Sequence, residues 1–79
     1  MSYQKEDYTL DAKQRRFERL AALRTNLVLN RLDVLGNCAN KHLYHYEQRE
    51  VDKIFQHIEE KTKMVKAKFS GKQREQFKF

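Results

Sequence analysis

The chain has 79 residues, no proline, two glycines and one cysteine, and its 17 basic and 11 acidic side chains give a net charge of +6. A single cysteine excludes an internal disulfide, and so few turn residues exclude a strand-rich domain. The length allows one domain with a thin core. Without a long apolar run, the sequence predicts a cytoplasmic protein with no signal peptide and no membrane span.

The first predicted element is a helix over residues 10–35. Thr9 is the expected N-cap, and Gly36, which tolerates left-handed backbone, is the expected stop. Residues 1–9 show no periodicity and are expected to form a frayed N-terminal segment. The apolar residues of the helix recur at about 100° per residue and fall on one face, which comprises Leu10, Phe17, Leu20, Ala21, Leu27, Val28, Leu32 and Leu35.

Two arginines, Arg24 and Arg31, lie seven residues apart in the middle of this apolar face. Burial of an unpaired guanidinium is costly, so each is expected to pair with a carboxylate, to extend past its neighbours to solvent, or to line a binding groove. Pairing with Glu47, Glu50 or Glu59 of the second helix is the interpretation we favour, and the groove is the functional alternative.

The connection between the helices, residues 36–46, mixes basic and aromatic side chains. A candidate second patch is formed by Lys41, Tyr44, His45, Tyr46 and Arg49. Such a set can stack unpaired nucleotides, or it can be a lid over the end of the core. The lid, built from Leu43, Tyr44 and Tyr46, is the interpretation we favour.

Catalysis and metal binding find little support in the sequence. The spacing of Cys38, His42 and His45 matches no standard zinc site, and Cys38 is expected to be a small buried thiol. No glycine-rich phosphate loop is present, and the acidic residues are mixed with basic ones as on a solvated helix face. We therefore predict no enzyme activity, no catalytic residues, no metal and no cofactor.

The second predicted helix covers residues 47–69 and ends near Gly71. Its apolar residues follow the alternating spacing of four and three that marks a heptad seam, namely Val51, Phe55, Ile58, Thr62, Val65 and Phe69. Phe55 and Ile58 are predicted to be the most buried side chains of this helix. Together the helices predict an all-α, antiparallel two-helix hairpin over residues 10–69, which could dimerise through this seam into a four-helix bundle.

The charge is distributed unevenly along the chain. Residues 1–60 carry ten basic and ten acidic side chains, while residues 61–79 carry seven basic side chains and one acidic one. The seven are Lys61, Lys63, Lys66, Lys68, Lys72, Arg74 and Lys78, the last three in a basic tail over residues 70–79. Part of this excess offsets the helix dipole, but the remainder predicts an anionic partner.

A second basic group, Arg15, Arg16 and Arg19, lies near the start of the first helix. In an antiparallel hairpin this start lies beside the end of the second helix. The hairpin therefore predicts that both basic groups form one surface for nucleic acid or another acidic partner.

The run from Leu35 to Asn40, with Tyr44, Tyr46 and the run from Val51 to Phe55, resembles short helical proteins of unknown function from bacteria, phages and mobile elements. The resemblance covers roughly residues 20–69. It implies a two-helix body and an origin in a mobile element.

Two functions are compatible with these features. The first is a non-enzymatic, basic helical protein that binds nucleic acid or a nucleoprotein complex with little sequence selectivity. The alternative is a protein-interaction module, such as a mobile-element inhibitor of a host nucleic-acid-acting enzyme in the manner of anti-CRISPR proteins. A structural homodimer is a third class.

Overall fold

The computed structural model describes residues 8–71. Helix α1 spans Leu10–Gly36, a 3-10 helix spans Asn37–Ala39 and helix α2 spans Gln48–Ser70, and residues 8–71 contain no strand. The all-α class is confirmed, with helix bounds within one residue of those predicted. Residues 37–47 connect the two helices. The chain divides into two compact units between Tyr44 and His45, one containing α1 and the other α2.

Helix α1 begins at the predicted cap. Thr9 has extended backbone, with φ −62° and ψ 157°, and its hydroxyl accepts a hydrogen bond from the Ala12 N–H at 3.2 Å. Asp11 lies in the first turn, where its carboxylate interacts favourably with the helix dipole. Ala12 is the only buried residue in the part of the chain that the structure describes.

Substitution of the cap should weaken this helix measurably. Thr9→Ala removes the acceptor for the Ala12 N–H, and we expect a loss of about 1 kcal/mol of stability. Thermal unfolding followed by circular dichroism measures this loss. Thr9→Ser, which keeps the hydroxyl, is the control and should behave like the parent chain.

The end of α1 differs from the prediction. Gly36 is right-handed, with φ −60° and ψ −23°, and the chain continues directly into the 3-10 helix instead of reversing at a left-handed glycine. The N–H of Asn37 still bonds to the carbonyls of Val34 and Leu35, so these two carbonyls near the helix end have a backbone partner. The expectation that Gly36 acts as a left-handed stop is therefore wrong.

Glu47 is the N-cap of helix α2 and has extended backbone, and Glu47 and Glu50 form a reciprocal capping box. The N–H of Glu47 donates to the Glu50 carboxylate at 2.8 Å, and Arg49 Nε donates to the Glu47 carboxylate at 2.9 Å. At the other end Gly71 is left-handed, with φ 73°, as the sequence predicts. Both ends of α2 are thus defined by local hydrogen bonding and backbone geometry.

The two glycines should respond oppositely to alanine. At Gly36 a Cβ would meet nothing within 4 Å and the backbone is helical, so Gly36→Ala should stabilise the chain by about 0.5–1 kcal/mol. At Gly71 the positive φ penalises any side chain, so Gly71→Ala should destabilise it by about 1 kcal/mol. Thermal midpoints of the two variants test this. Equal shifts of the same sign would contradict the two backbone conformations.

The apolar face of α2 is only partly covered. Val51, Ile58 and Ala67 are half-buried, whereas Phe55 is 45% exposed. The prediction that Phe55 is among the most buried side chains of this helix is wrong, while Ile58 is half-buried to the same class as Val51 and Ala67. A phenyl ring extends further from the helix axis than a branched aliphatic side chain, so neighbours on the same helix cover less of it.

The connection is organised by Asn40. Its carbonyl accepts from the N–H groups of Leu43 and Tyr44, and its side-chain oxygen accepts from the His42 N–H at 2.9 Å. Leu43 is 70% exposed and Tyr44 51% exposed, so the expectation that these two side chains form a lid is wrong. Tyr46 is half-buried.

Neither helix of the described region combines the length and apolar character that crossing a bilayer demands.

Candidate polyanion-binding surface

The end of α2 carries four lysines, Lys61, Lys63, Lys66 and Lys68, which we call the lysine cluster. All four are exposed, and none pairs with a carboxylate in residues 8–71. Glu59, which lies one turn before Lys63, forms no ion pair with it in this range either. The ammonium groups of the cluster therefore remain available to an external anion.

The cluster is spread around the helix by its spacing. Lys61 and Lys68 are seven residues apart, so they lie on one flank of the apolar seam about 10.5 Å apart along the axis. Lys63 and Lys66 project from the other flank. A partner on either side of α2 therefore meets two lysines.

The predicted tail residues Lys72, Arg74 and Lys78 lie outside the described residues.

The basic group at the start of α1 has local partners. Arg15 forms an ion pair with Asp11 one turn earlier, and the Arg16 guanidinium lies over the Tyr8 ring, 5.6 Å from its centroid. Arg19 is exposed and has no ion pair in the described part of the chain. The exposed pair contributes only about 0.3–0.5 kcal/mol, so an anion could displace Asp11 from Arg15.

Tyr8 and Asp11 were not assigned these roles from the sequence. The spacing of four between Asp11 and Arg15 is a signal that could have revealed the ion pair. The contact of Tyr8 with Arg16 depends on the path of the chain before α1. The spacing of apolar residues within the helix does not determine that path.

Arg24 and Arg31 are exposed and form no ion pair within residues 8–71. Neither pairs with a carboxylate of the unit that contains α1, and pairing with Glu47, Glu50 or Glu59 of the other unit stays a prediction. Because both guanidinium groups stay accessible to water, neither incurs the cost of burial that motivated the pairing. Their apolar neighbours Leu27 and Val28 are exposed as well, so this face of α1 presents cations within an apolar stripe.

The candidate second patch divides between the two units. Lys41 and Tyr44 belong to the first unit, and His45, Tyr46 and Arg49 to the second. Arg49 is already bound to Glu47 by the hydrogen bond at the start of α2. This ion pair is exposed and joins Arg49 to the N-cap residue of α2.

Cys38 is exposed, so its expected burial is wrong. It lies in the 3-10 helix, which has no buried residue, so its short side chain remains accessible to solvent. In the described region no group of three or more His, Cys, Asp or Glu side chains is placed to hold a metal ion.

Comparison with known proteins finds no matching family model, no similar curated protein and no similar solved structure.

Proposed function

We propose that this chain is a non-enzymatic binding protein whose lysine cluster contacts the phosphates of nucleic acid or of a nucleoprotein complex. The observation that supports this is the presence of four exposed lysines within eight residues of α2, none of them paired with a described carboxylate. Arg19 on α1 and the basic residues of the tail add further cations to the chain.

The physical basis is counterion release. Each phosphate that a lysine neutralises frees condensed cations. A plot of the logarithm of the affinity for B-DNA against the logarithm of the salt concentration therefore has a negative slope, which steepens by about 0.9 for each contact. Contacts of this kind go to the backbone and carry little sequence information. The proposed interaction is therefore strong at low salt and similar for different sequences.

Titration of the intact protein against single- and double-stranded oligonucleotides, at low and at moderate salt, tests the proposal. We expect binding that weakens steeply as salt rises and varies little with sequence. A purified protein that binds none of them even at low ionic strength would refute it.

Truncation after Gly71 separates the tail from the cluster. It removes Lys72, Arg74 and Lys78 but keeps the left-handed cap of α2, so the helix content should be unchanged. Affinity for duplex DNA should fall. The slope of the logarithm of affinity against the logarithm of salt concentration should become shallower by about 2 to 3, since up to three phosphate contacts are lost. An unchanged salt dependence would show that the tail makes no phosphate contacts.

A protein-interaction module is the second candidate, and the exposed face of α1 around Arg24 and Arg31 favours it. Apolar side chains with two embedded cations suit a protein surface that is apolar and acidic. In this alternative the chain is an inhibitor of a host nucleic-acid-acting enzyme, encoded by a mobile element as the sequence resemblance implies. Inhibition by a chain that binds no nucleic acid itself would favour this candidate.

A second copy of the chain is also a candidate partner. The observation that favours it is the partly exposed seam of α2, in which Phe55 and Val65 are 45% and 43% exposed. A surface helix usually gains most of its stability by burying such a face.

A further inference from the structure

The seam of α2 has the spacing of a coiled coil, and its Phe55 and Val65 side chains are 45% and 43% exposed. Within the heptad, Phe55, Thr62 and Phe69 take the a positions, and Val51, Ile58 and Val65 take the d positions. All six of these residues are half-buried or exposed. At 23 residues, α2 provides about three heptads of seam.

The charged residues beside the seam change sign along the helix. The e positions are Asp52, Glu59 and Lys66, and the g positions are Glu47, Ile54, Lys61 and Lys68. The first half of α2 therefore has acids on its flanks and the second half has lysines. Asp52 accepts a hydrogen bond from Gln48 at 2.8 Å, and the three lysines form no ion pair with any described carboxylate.

We propose that α2 pairs with α2 of a second copy of this chain, and that the two helices run antiparallel. This inference rests on the self-association considered above and gives it a direction. With full overlap, the facing layers are Val51 with Phe69, Phe55 with Val65, and Ile58 with Thr62, each repeated by the two-fold symmetry. The acidic half of each helix then lies against the basic half of the other.

The flanking charges decide between the two directions. In a parallel pair, each g residue faces the e residue five positions later in the partner, which places Glu47 against Asp52 and Lys61 against Lys66. Every such charged pair within the described residues is then repulsive, and each occurs twice.

In the antiparallel pair, e residues face e residues, so Asp52 of each copy lies beside Lys66 of the other. Glu59 and Lys61 approach their own counterparts near the two-fold axis, on opposite sides of the seam. These two repulsive contacts occur once each, whereas the attraction between Asp52 and Lys66 occurs twice. Antiparallel pairing is therefore the direction that the charges favour.

A charge-swap experiment tests both the pairing and its direction. Self-association of the full chain is measured by sedimentation equilibrium without nucleic acid, for the parent, Lys66→Glu, Asp52→Lys and the double variant. In the antiparallel pair each single change turns two attractions into repulsions, so the dimer should weaken about five- to thirtyfold. The double variant exchanges the charges and should recover to within about threefold.

The matched control is Lys53→Glu, which makes the same charge change on the far side of α2 from the seam. It should alter the dimer constant less than about threefold. Circular dichroism of each variant establishes that α2 still forms, so that a loss of dimer is not a loss of helix.

Whether a single variant weakens or tightens the dimer distinguishes antiparallel from parallel pairing. In a parallel pair Lys66→Glu would face Lys61 and Asp52→Lys would face Glu47, so either single variant would tighten the dimer and overturn the proposed direction. A parent chain that stays monomeric at a concentration on the order of 1 mM would overturn self-association itself, and the seam would then have another occupant. Neither result depends on whether the lysine cluster binds nucleic acid.

Discussion

Replacing Lys61, Lys63, Lys66 and Lys68 together by glutamine should lower affinity for duplex DNA by about 10³- to 10⁴-fold at about 0.1 M salt. Each neutralised phosphate contributes about one decade of affinity at that concentration, and four contacts are lost. Glutamine is nearly as good a helix former as lysine, so α2 should remain intact. Titration at several salt concentrations would show the loss of affinity together with a shallower salt dependence.

The control for this variant replaces Lys13 and Lys53, which lie outside the lysine cluster, with glutamine. It removes two positive charges from the same protein and should reduce affinity much less per lysine removed. If the control loses as much affinity per charge as the cluster variant, binding depends only on net charge. The cluster would then have no special role in the interaction.

Replacing Phe55 and Ile58 together by alanine should weaken self-association by about 10³-fold or more. Truncating a large apolar side chain in a core costs about 2–5 kcal/mol, and in a symmetric pair each change is made twice. Sedimentation equilibrium measures the dimer constant directly. Met64→Ala, which removes an exposed apolar side chain outside the seam, should have little effect.

Two other outcomes of this experiment would show that the seam is not the contact between two copies. If Phe55→Ala with Ile58→Ala leaves association unchanged, the two copies meet elsewhere. If the parent is monomeric and the variant loses stability, the seam is covered within one chain. Denaturation at two protein concentrations separates these cases, because only a dimer becomes more stable as concentration rises.

Features of the fold that depend on local chemistry could be predicted from the sequence. Thr9 caps α1 because its hydroxyl can reach an N–H three residues later, and Gly71 ends α2 because it accepts a positive φ. The same reasoning was wrong at Gly36. A glycine permits left-handed backbone without requiring it, and the residues after Gly36 continue as a 3-10 helix.

The residues of the candidate site could be predicted from the sequence, but the contacts and exposure of individual side chains could not. The lysine cluster follows from the sequence alone, and the structure adds that its members are exposed and have no ion pair with a described carboxylate. The environments of Arg24 and Phe55 could not be inferred in this way. Periodicity shows that they share an apolar face with their neighbours, but not how much of that face is covered.

The position of Lys66 beside the seam has a thermodynamic consequence. If Lys66 neutralises Asp52 of a second copy, the same ammonium cannot fully neutralise a phosphate, so dimerisation and polyanion binding compete for one charge. Linkage then requires reciprocity: nucleic acid should dissociate the dimer by the same factor by which dimerisation weakens nucleic-acid binding. The salt dependence of nucleic-acid binding would accordingly change with the protein concentration. Dilution dissociates the dimer and would therefore favour the nucleic-acid complex over the dimer.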